Sequence, residues 1–240
     1  MKIALCFYGQ LRRVKDTYET YIKPNIIDPN IKEHQIDVFV HTWWDADDIG
    51  KGYKVWGIKE VAVTAPVTED VLDVVFKKYN PKKVLAERQI EFSAKDYHSY
   101  HIPHAVVPIS TQSKCYSMKQ VCSLKKKYEE ENNFKYDWVA NLRFDQGMPK
   151  PIDFSMFKLG EYNTSPRAYT PSNPCVVDCI VGFMDSDVYD YVASMYDYMD
   201  EYWRQEGVEF LEEHLLYHHL TKKGIPINRI PYLNEYELIR

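Results

Sequence analysis

The sequence has no long apolar run, no surplus of positive charge and no cysteine pattern suited to a metal. A membrane span needs about 20 consecutive apolar residues, and no run here approaches that length. The first run, Ile3–Tyr8, is too short for the apolar region of a secretory signal, and Gln10, Arg12 and Arg13 follow at once. A cytoplasmic protein is expected. Lys and Arg number 30 against 35 Asp and Glu, for a net charge of −5. That argues against broad nonspecific binding to nucleic acid, which needs excess cations to displace phosphate counterions. The five cysteines are Cys6, Cys115, Cys122, Cys175 and Cys179. Their number is odd, and the 175/179 spacing lacks a second pair or histidines at zinc spacing, so free thiols are expected. There is no internal repeat and no low-complexity segment.

What remains is a globular composition. The 240 residues are 45% apolar and 27% charged, enough for one α/β domain that buries roughly 70–75% of its unfolded surface without staples. Aromatics are abundant, with 20 Tyr, 10 Phe and 5 Trp. Tyr and Trp combine a flat apolar face with a polar edge, which suits sugar rings and bases. For most of the tyrosines, surface filler is an equally good account.

The pattern predicts a buried strand over Lys2–Tyr8 ending at Gly9, and a helix over Val14–Ile22 that stops at Lys23-Pro24. Further strands are expected at Ile36–Thr42, Glu60–Thr64, Lys83–Glu87 and Tyr136–Arg143, with a glycine-bearing loop over 50–57. Helices are expected over Thr68–Tyr79, capped by Thr68, and over Ser110–Glu131, with a long loop over Glu91–Pro108. Then come strands at Ala168–Ser172 and Val176–Met184, helices at Ser186–Trp203 and Glu209–Lys222, and a last strand or extended tail over Ile225–Ile230. Alternating strands and helices imply a mainly parallel, mixed sheet flanked by helices. Ligands of such sheets bind outside the carboxyl ends of the strands, so the residues just after each strand carry the functional signal.

Four constellations stand there. Arg143-Phe144-Asp145 follows an apolar strand; Asp145 can bridge Mn²⁺ or Mg²⁺, or form an ion pair with Arg143. Gly9-Gln10-Leu11-Arg12-Arg13 lets the backbone approach a ligand and offers Arg12 to a phosphate, with an exposed basic turn as the alternative for Arg13. It is not a glycine-rich dinucleotide or phosphate loop. His41-Thr42-Trp43-Trp44-Asp45 places two tryptophans at a strand end, for stacking or for core packing. Asp178 lies inside the apolar stretch CVVDCIVGF, where a charge needs a reason, and Glu212, Glu213 and His214 open a late helix. A sugar transfer with inversion needs a carboxylate or histidine to deprotonate the acceptor. His218 and His219 are weak metal-ligand candidates. The opening of the long helix, Ser110–Tyr116, fits a phosphate or sugar contact as well as a plain N-cap.

Taken in order, IALCFYGQLRR, DVFVHTWWD, QSKCYSMKQ, YDWVANLRFD, VVDCIVGFMDSDVYDYV and EEHLLYHHL resemble a family of glycosyltransferases of bacteria, bacteriophages and large viruses for which a GT-A fold is predicted. The resemblance spans nearly the whole chain, and the HTW and RFD strand ends are its most specific parts. It implies a single GT-A-like domain over 1–240, with a nucleotide-sugar half (1–147) and an acceptor half (148–240). It also implies a nucleotide-sugar donor such as a UDP-sugar, and a hydroxyl acceptor: a glycan or, for a viral enzyme in a host cytoplasm, a modified DNA base. Lys77, Lys78, Lys82, Lys83 and Lys125–Lys127 could supply local positive surface for DNA, with a solvated helix face as the alternative. The expected donor contacts are Tyr8, Gly9, Gln10, Arg12, Thr42, Trp43, Gln112, Tyr116, Arg143 and Phe144. Asp178 and Glu213 are the expected catalytic acids, and Asp145 the metal ligand. GT-A enzymes commonly hold their metal with Asp-x-Asp; here Arg143 takes the first Asp position, which weakens the case for a strict metal requirement. The rival readings are a nucleotidyltransferase-like nucleotide-binding enzyme and a non-catalytic carbohydrate-binding protein.

Overall fold

The computed structural model describes residues 1–50, 52–56, 61–66, 68, 70–93, 96–98, 106–167, 174 and 177–239. In chain order its elements begin with β1 (Lys2–Gln10), α1 (Val14–Thr17), a π-helical segment Tyr18–Ile27 and α2 (Asp28–Asn30). β2 (Gln35–Trp43), β3 (Gly52–Trp56), β4 (Val61–Pro66), α3 (Val71–Val74), a second π segment Val75–Tyr79 and β5 (Lys83–Glu87) follow. Then come α4 (Val106–Asn132), β6 (Trp138–Arg143), β7 (Gln146–Gly147), β8 (Tyr162–Thr164), β9 (Gly182–Met184) and α5 (Ser186–Arg204). The chain closes with α6 (Glu212–Lys223), β10 (Ile227–Arg229) and β11 (Glu237–Leu238).

Seven strands form one mixed sheet in the order β10-β8-β9-β6-β1-β2-β5. Of these, β9 alone runs against its neighbours, and the other pairings are parallel. Side chains alternate across the pleat, so a strand covered on both faces reads as a continuous apolar run. β1 behaves in this way. Ile3, Leu5 and Phe7 enter one core, shared with Val38, Val40, Leu142 and Phe144. Ala4, Cys6 and Tyr8 enter the other, shared with Cys115, Val121, Tyr189 and Leu215 of α4, α5 and α6.

Successive strands β1, β2 and β5 step toward one edge, and β6 then returns to the other side of β1. That reversal is the switch point at which open α/β sheets leave a crevice beyond their carboxyl ends. Register places Tyr8 against Arg143 on one side and against His41 on the other, and Gly9 against Thr42.

Several expectations are corrected. Helical structure continues past Pro24 to Asn30, because Pro24 lies in the π-helical segment between the fully buried Ile22 and Ile26; packing overrides the proline's preference to end a helix. The segment expected as a loop over 50–57 contains β3, which pairs with β4 outside the main sheet. The expected strand Val176–Met184 shrinks to β9, since Asp178 folds back to accept from the Ile180 N–H. β8 carries no sequence signal: three residues of mixed polarity show no periodicity. The strand expected at Ala168–Ser172 lies outside the described residues, as do Val176 and Cys175. Cys6, Cys115, Cys122 and Cys179 are free, buried thiols. Among the described residues, no helix is long and apolar enough to cross a membrane.

Candidate functional site

The turn after β1 is fixed from three sides. Gly9 has φ +100, and a Cβ there would meet no atom within 4 Å, so the backbone dihedral and not crowding calls for glycine. Its N–H donates to Ser117 Oγ (3.0 Å) and its carbonyl accepts from Thr42 Oγ1 (2.8 Å). Ser117 Oγ also lies 2.5 Å from His41 Nδ1, while His41 Nε2 lies 2.9 Å from Glu87 Oε1. A Glu87 carboxylate can only accept, so a neutral ring donates to it from Nε2 and its Nδ1 accepts from the Ser117 hydroxyl. His41 is fully buried; burial lowers its pKa against the opposing pull of Glu87, in keeping with a neutral ring. This relay ties the ends of β1, β2 and β5 to α4.

At the end of β6, Arg143 grips Asp145 through Nε–Oδ1 (2.8 Å) and Nη2–Oδ2 (2.7 Å), and Arg12 Nη1 lies 3.6 Å from Oδ2. Burial pushes the Asp145 pKa up, but the charges of Arg143 and Arg12 and the hydrogen bonds outweigh it, so the carboxyl titrates below its ordinary range. Gln10 Oε1 accepts from Arg12, and Gln146 Oε1 accepts from the Arg143 N–H (3.2 Å). The C-terminal segment straps this end: β11 pairs with β7, and the Asp145 carbonyl accepts from Ile239 (2.7 Å).

Two helices complete the cluster. Lys114 Nζ, from α4, lies 2.8 Å from Glu212 Oε2 in the first turn of α6. Burial lowers the Lys114 pKa, but the Glu212 charge more than restores it. The Glu212 charge also acts on Arg143 and Tyr8. Glu213 is raised above its ordinary pKa, chiefly by burial, and it feels Lys114, Glu212 and Asp178. Asp178 is also raised by burial; it accepts from Ser165 Oγ, from the Ile180 N–H (2.9 Å) and from Tyr236. Arg12 and Arg143 with Asp145, and Lys114 with Glu212, thus form two ion-paired groups at the carboxyl ends of β1 and β6, with Glu213 in electrostatic reach of Lys114, Glu212 and Asp178.

Within this cluster the Tyr8 hydroxyl, Gln146 Nε2 and Glu213 Oε2 are buried with no hydrogen-bond partner among the described residues. Native interiors rarely leave such atoms unpaired, since each costs about 1–3 kcal/mol. Grouped at the switch point, they are donors and acceptors that water or a ligand can satisfy.

The other expected residues fall as follows. Trp43 is buried and stacks on Tyr116 at 5.4 Å between ring centres, with Phe92 and His41 edge-on. Thr42 is buried and clamps the Gly9 carbonyl. Phe144 is a core residue, fully buried and stacked on Phe7, so its ring is no donor contact. Gln112 donates from Nε2 to the Ser93 and Pro108 carbonyls. Asp45 and Asp47 pair with Arg88. His218 pairs with Glu206, and His219 is buried against Tyr202 and Tyr191. Lys77, Lys78, Lys82 and Lys83 each pair with a carboxylate. Lys125, expected on a solvated face, is fully buried. Sequence reasoning missed Ser117 and the C-terminal strap; it marks Glu87 only as a residue just past a strand, and the lysine of Ser110–Tyr116, Lys114, as a phosphate or sugar contact. Lys114 and Ser117 stand three apart on α4, which puts both on the face toward the sheet.

The residues do not fit a protein-held divalent cation. Both oxygens of Asp145 are taken by Arg143, and among the described residues no three His, Cys, Asp or Glu side chains come together as a cation site. No family model and no curated protein matches the chain.

Proposed function

We propose that this chain is a glycosyltransferase that binds a nucleotide-sugar at the switch point and passes the sugar to a hydroxyl acceptor. The observation that carries the reading is the meeting of Arg12, Arg143 and Lys114 with the buried Glu213 carboxyl beyond β1 and β6. The mixed sheet with its reversal of strand order supports a GT-A-type arrangement, in which the turn after β1 faces the donor.

In this reading the donor's diphosphate lies against the cations. As the bond from the sugar's anomeric carbon to the diphosphate oxygen breaks, its electron pair leaves with the diphosphate, whose growing charge the cations stabilise. The acceptor oxygen bonds to the same carbon and its proton passes to a base. Glu213 suits that role, because burial raises its pKa toward the working pH, where a carboxylate is a more effective base. Asp178 instead holds the Ser165–Ile180 region, because its oxygens are already occupied. Trp43 is packed against Tyr116 at the neighbouring strand end, so of the two it is the half-buried Tyr116 ring that suits a base or sugar face.

The test is slow release of UDP or GDP from a panel of nucleotide-sugars. Turnover by the wild type, with at least a ~100-fold loss in Glu213→Gln and in Asp145→Ala, is the expected result. Binding without turnover across the panel would favour a carbohydrate-binding protein and overturn the proposal.

A further inference from the structure

We infer that the leaving diphosphate is neutralised by the side-chain cations Arg12, Arg143 and Lys114, so that donor binding requires no divalent metal. The inference rests on the nucleotide-sugar reading and names the part of the site that meets the leaving group.

Three independent features point the same way. The first is the charge arrangement. Asp145 faces both Arg143 and Arg12, and Glu212 faces Lys114. Two paired carboxylates stand against three cations, and the remaining acids, Glu213 and Asp178, are both displaced toward the neutral form by burial. A divalent cation entering here would meet like charge, while a diphosphate would meet opposite charge in a setting of reduced dielectric. The second is the kind of atom left unpartnered. The Tyr8 hydroxyl and Gln146 Nε2 are buried without partners among the described residues, and both can donate. An amide N–H serves a phosphate oxygen and cannot ligate a metal ion, and burial keeps the Tyr8 phenol protonated and therefore a donor. Both belong to this end of the sheet: Tyr8 is in register with Arg143, and the Gln146 amide is held by the Arg143 N–H.

The third is the way the cations are mounted. Arg12 leaves the turn after β1, Arg143 ends β6, and Lys114 projects from α4 onto the first turn of α6. Each is held by a carboxylate from the same cluster. A guanidinium already oriented by a carboxylate loses little further freedom when it turns a remaining N–H to phosphate. Asp145 and Glu212 thereby act as resident counterions that position the cations.

Calorimetric titration with UDP and GDP, in EDTA and in Mn²⁺, tests this. The expected result is a nucleoside diphosphate that binds in EDTA with affinity within about 3-fold of that in Mn²⁺. Lys114→Gln should weaken the metal-free binding by about 10-fold or more, and Lys114→Arg by far less. Lys114→Gln leaves Glu212 without its partner, so the double variant K114Q/E212Q is measured beside it, and the same loss is expected there. Binding seen with Mn²⁺ and not in EDTA would overturn the inference while sparing the glycosyltransferase reading. Metal-free binding untouched by K114Q and K114Q/E212Q would also overturn it. If no nucleotide or nucleotide-sugar binds in either buffer, both the inference and the reading fall.

Discussion

Helix α4 carries two inward-facing lysines, Lys114 and Lys125, about three turns or ~16 Å apart, and they sit in opposite kinds of surroundings. Lys125 is fully buried and closed on every side: Ser186 Oγ, Asp190 Oδ1 at 2.7 Å and Glu129 Oε2 at 3.0 Å surround its ammonium. The partners are themselves engaged, since Glu129 accepts from Ser186 Oγ and the Tyr136 N–H, and Asp190 from Cys122. Lys114, at the other end of the sheet, is about one-third exposed, and beside it lie buried polar atoms without partners among the described residues. The difference teaches how to separate a structural charge from a functional one. A complete network is finished by folding, while an incomplete one leaves polar atoms for water or a ligand to satisfy.

The contrast can be broken by mutation, and the largest effect belongs to the closed cluster. Lys125→Met should cost about 3–5 kcal/mol, because it strands Glu129 in the interior and takes from Asp190 the nearer of its two cations; denaturant unfolding measures it, and nucleotide binding at the far end should survive in the folded fraction. Ser117→Ala comes next, at about 1–2 kcal/mol, since it removes the acceptor for the Gly9 N–H and the partner of His41. Faster hydrogen exchange at the Gly9 amide would accompany it. Lys114→Gln should cost a similar amount, about 1–2 kcal/mol, because it strands one buried carboxylate, Glu212, while Lys114 itself is partly open to solvent. Should Lys114→Gln prove as damaging as Lys125→Met, the distinction between the clusters fails.

Glu213→Gln has the opposite sign. A carboxyl whose folded pKa is raised binds its proton more tightly in the native state, so stability falls as pH rises from the ordinary value of 4.5 through the higher folded value. Above that window the ionised Glu213 is a net burden on the fold. Removing it should raise the melting temperature at neutral pH and flatten this part of the pH profile, while turnover is lost. Thermal melts from about pH 4 to 8 check the sign, and a lower melting temperature at neutral pH would contradict it.

The frame of the site was legible because β1, β2 and β6 are mainly apolar strands that stop at polar residues, and parallel sheets expose those ends. Arg12, Arg143 and Asp145 could be picked out on that ground alone, and the structure brings them together; Glu213 stood out instead as an acid opening a late helix. What the residues do to one another was not legible. No local pattern shows that Arg143 takes both oxygens of Asp145, or that Glu212 belongs with a lysine far earlier in the chain. Phe144 reads as a strand-end contact because it sits between two charged residues, yet pleat alternation turns it into the core beside Phe7. Lys125 reads as solvated because Lys126 and Lys127 follow it; helical rotation separates neighbours in a run, and Lys125 is the one that reaches into the interior against α5. Asp178 stands out correctly as a charge needing a reason, and its reason is a loop held to Ser165 and Ile180.

If the open cluster is where a donor binds, hydrogen exchange of the whole chain, with and without each of a panel of nucleotide-sugars, will show it directly. Slower exchange at Gly9–Arg12 and Arg143–Gln146 with at least one donor, and unchanged exchange around Lys125, is the predicted result. Protection confined to the Lys125 end of α4, or no change at the switch point with any donor, would contradict it.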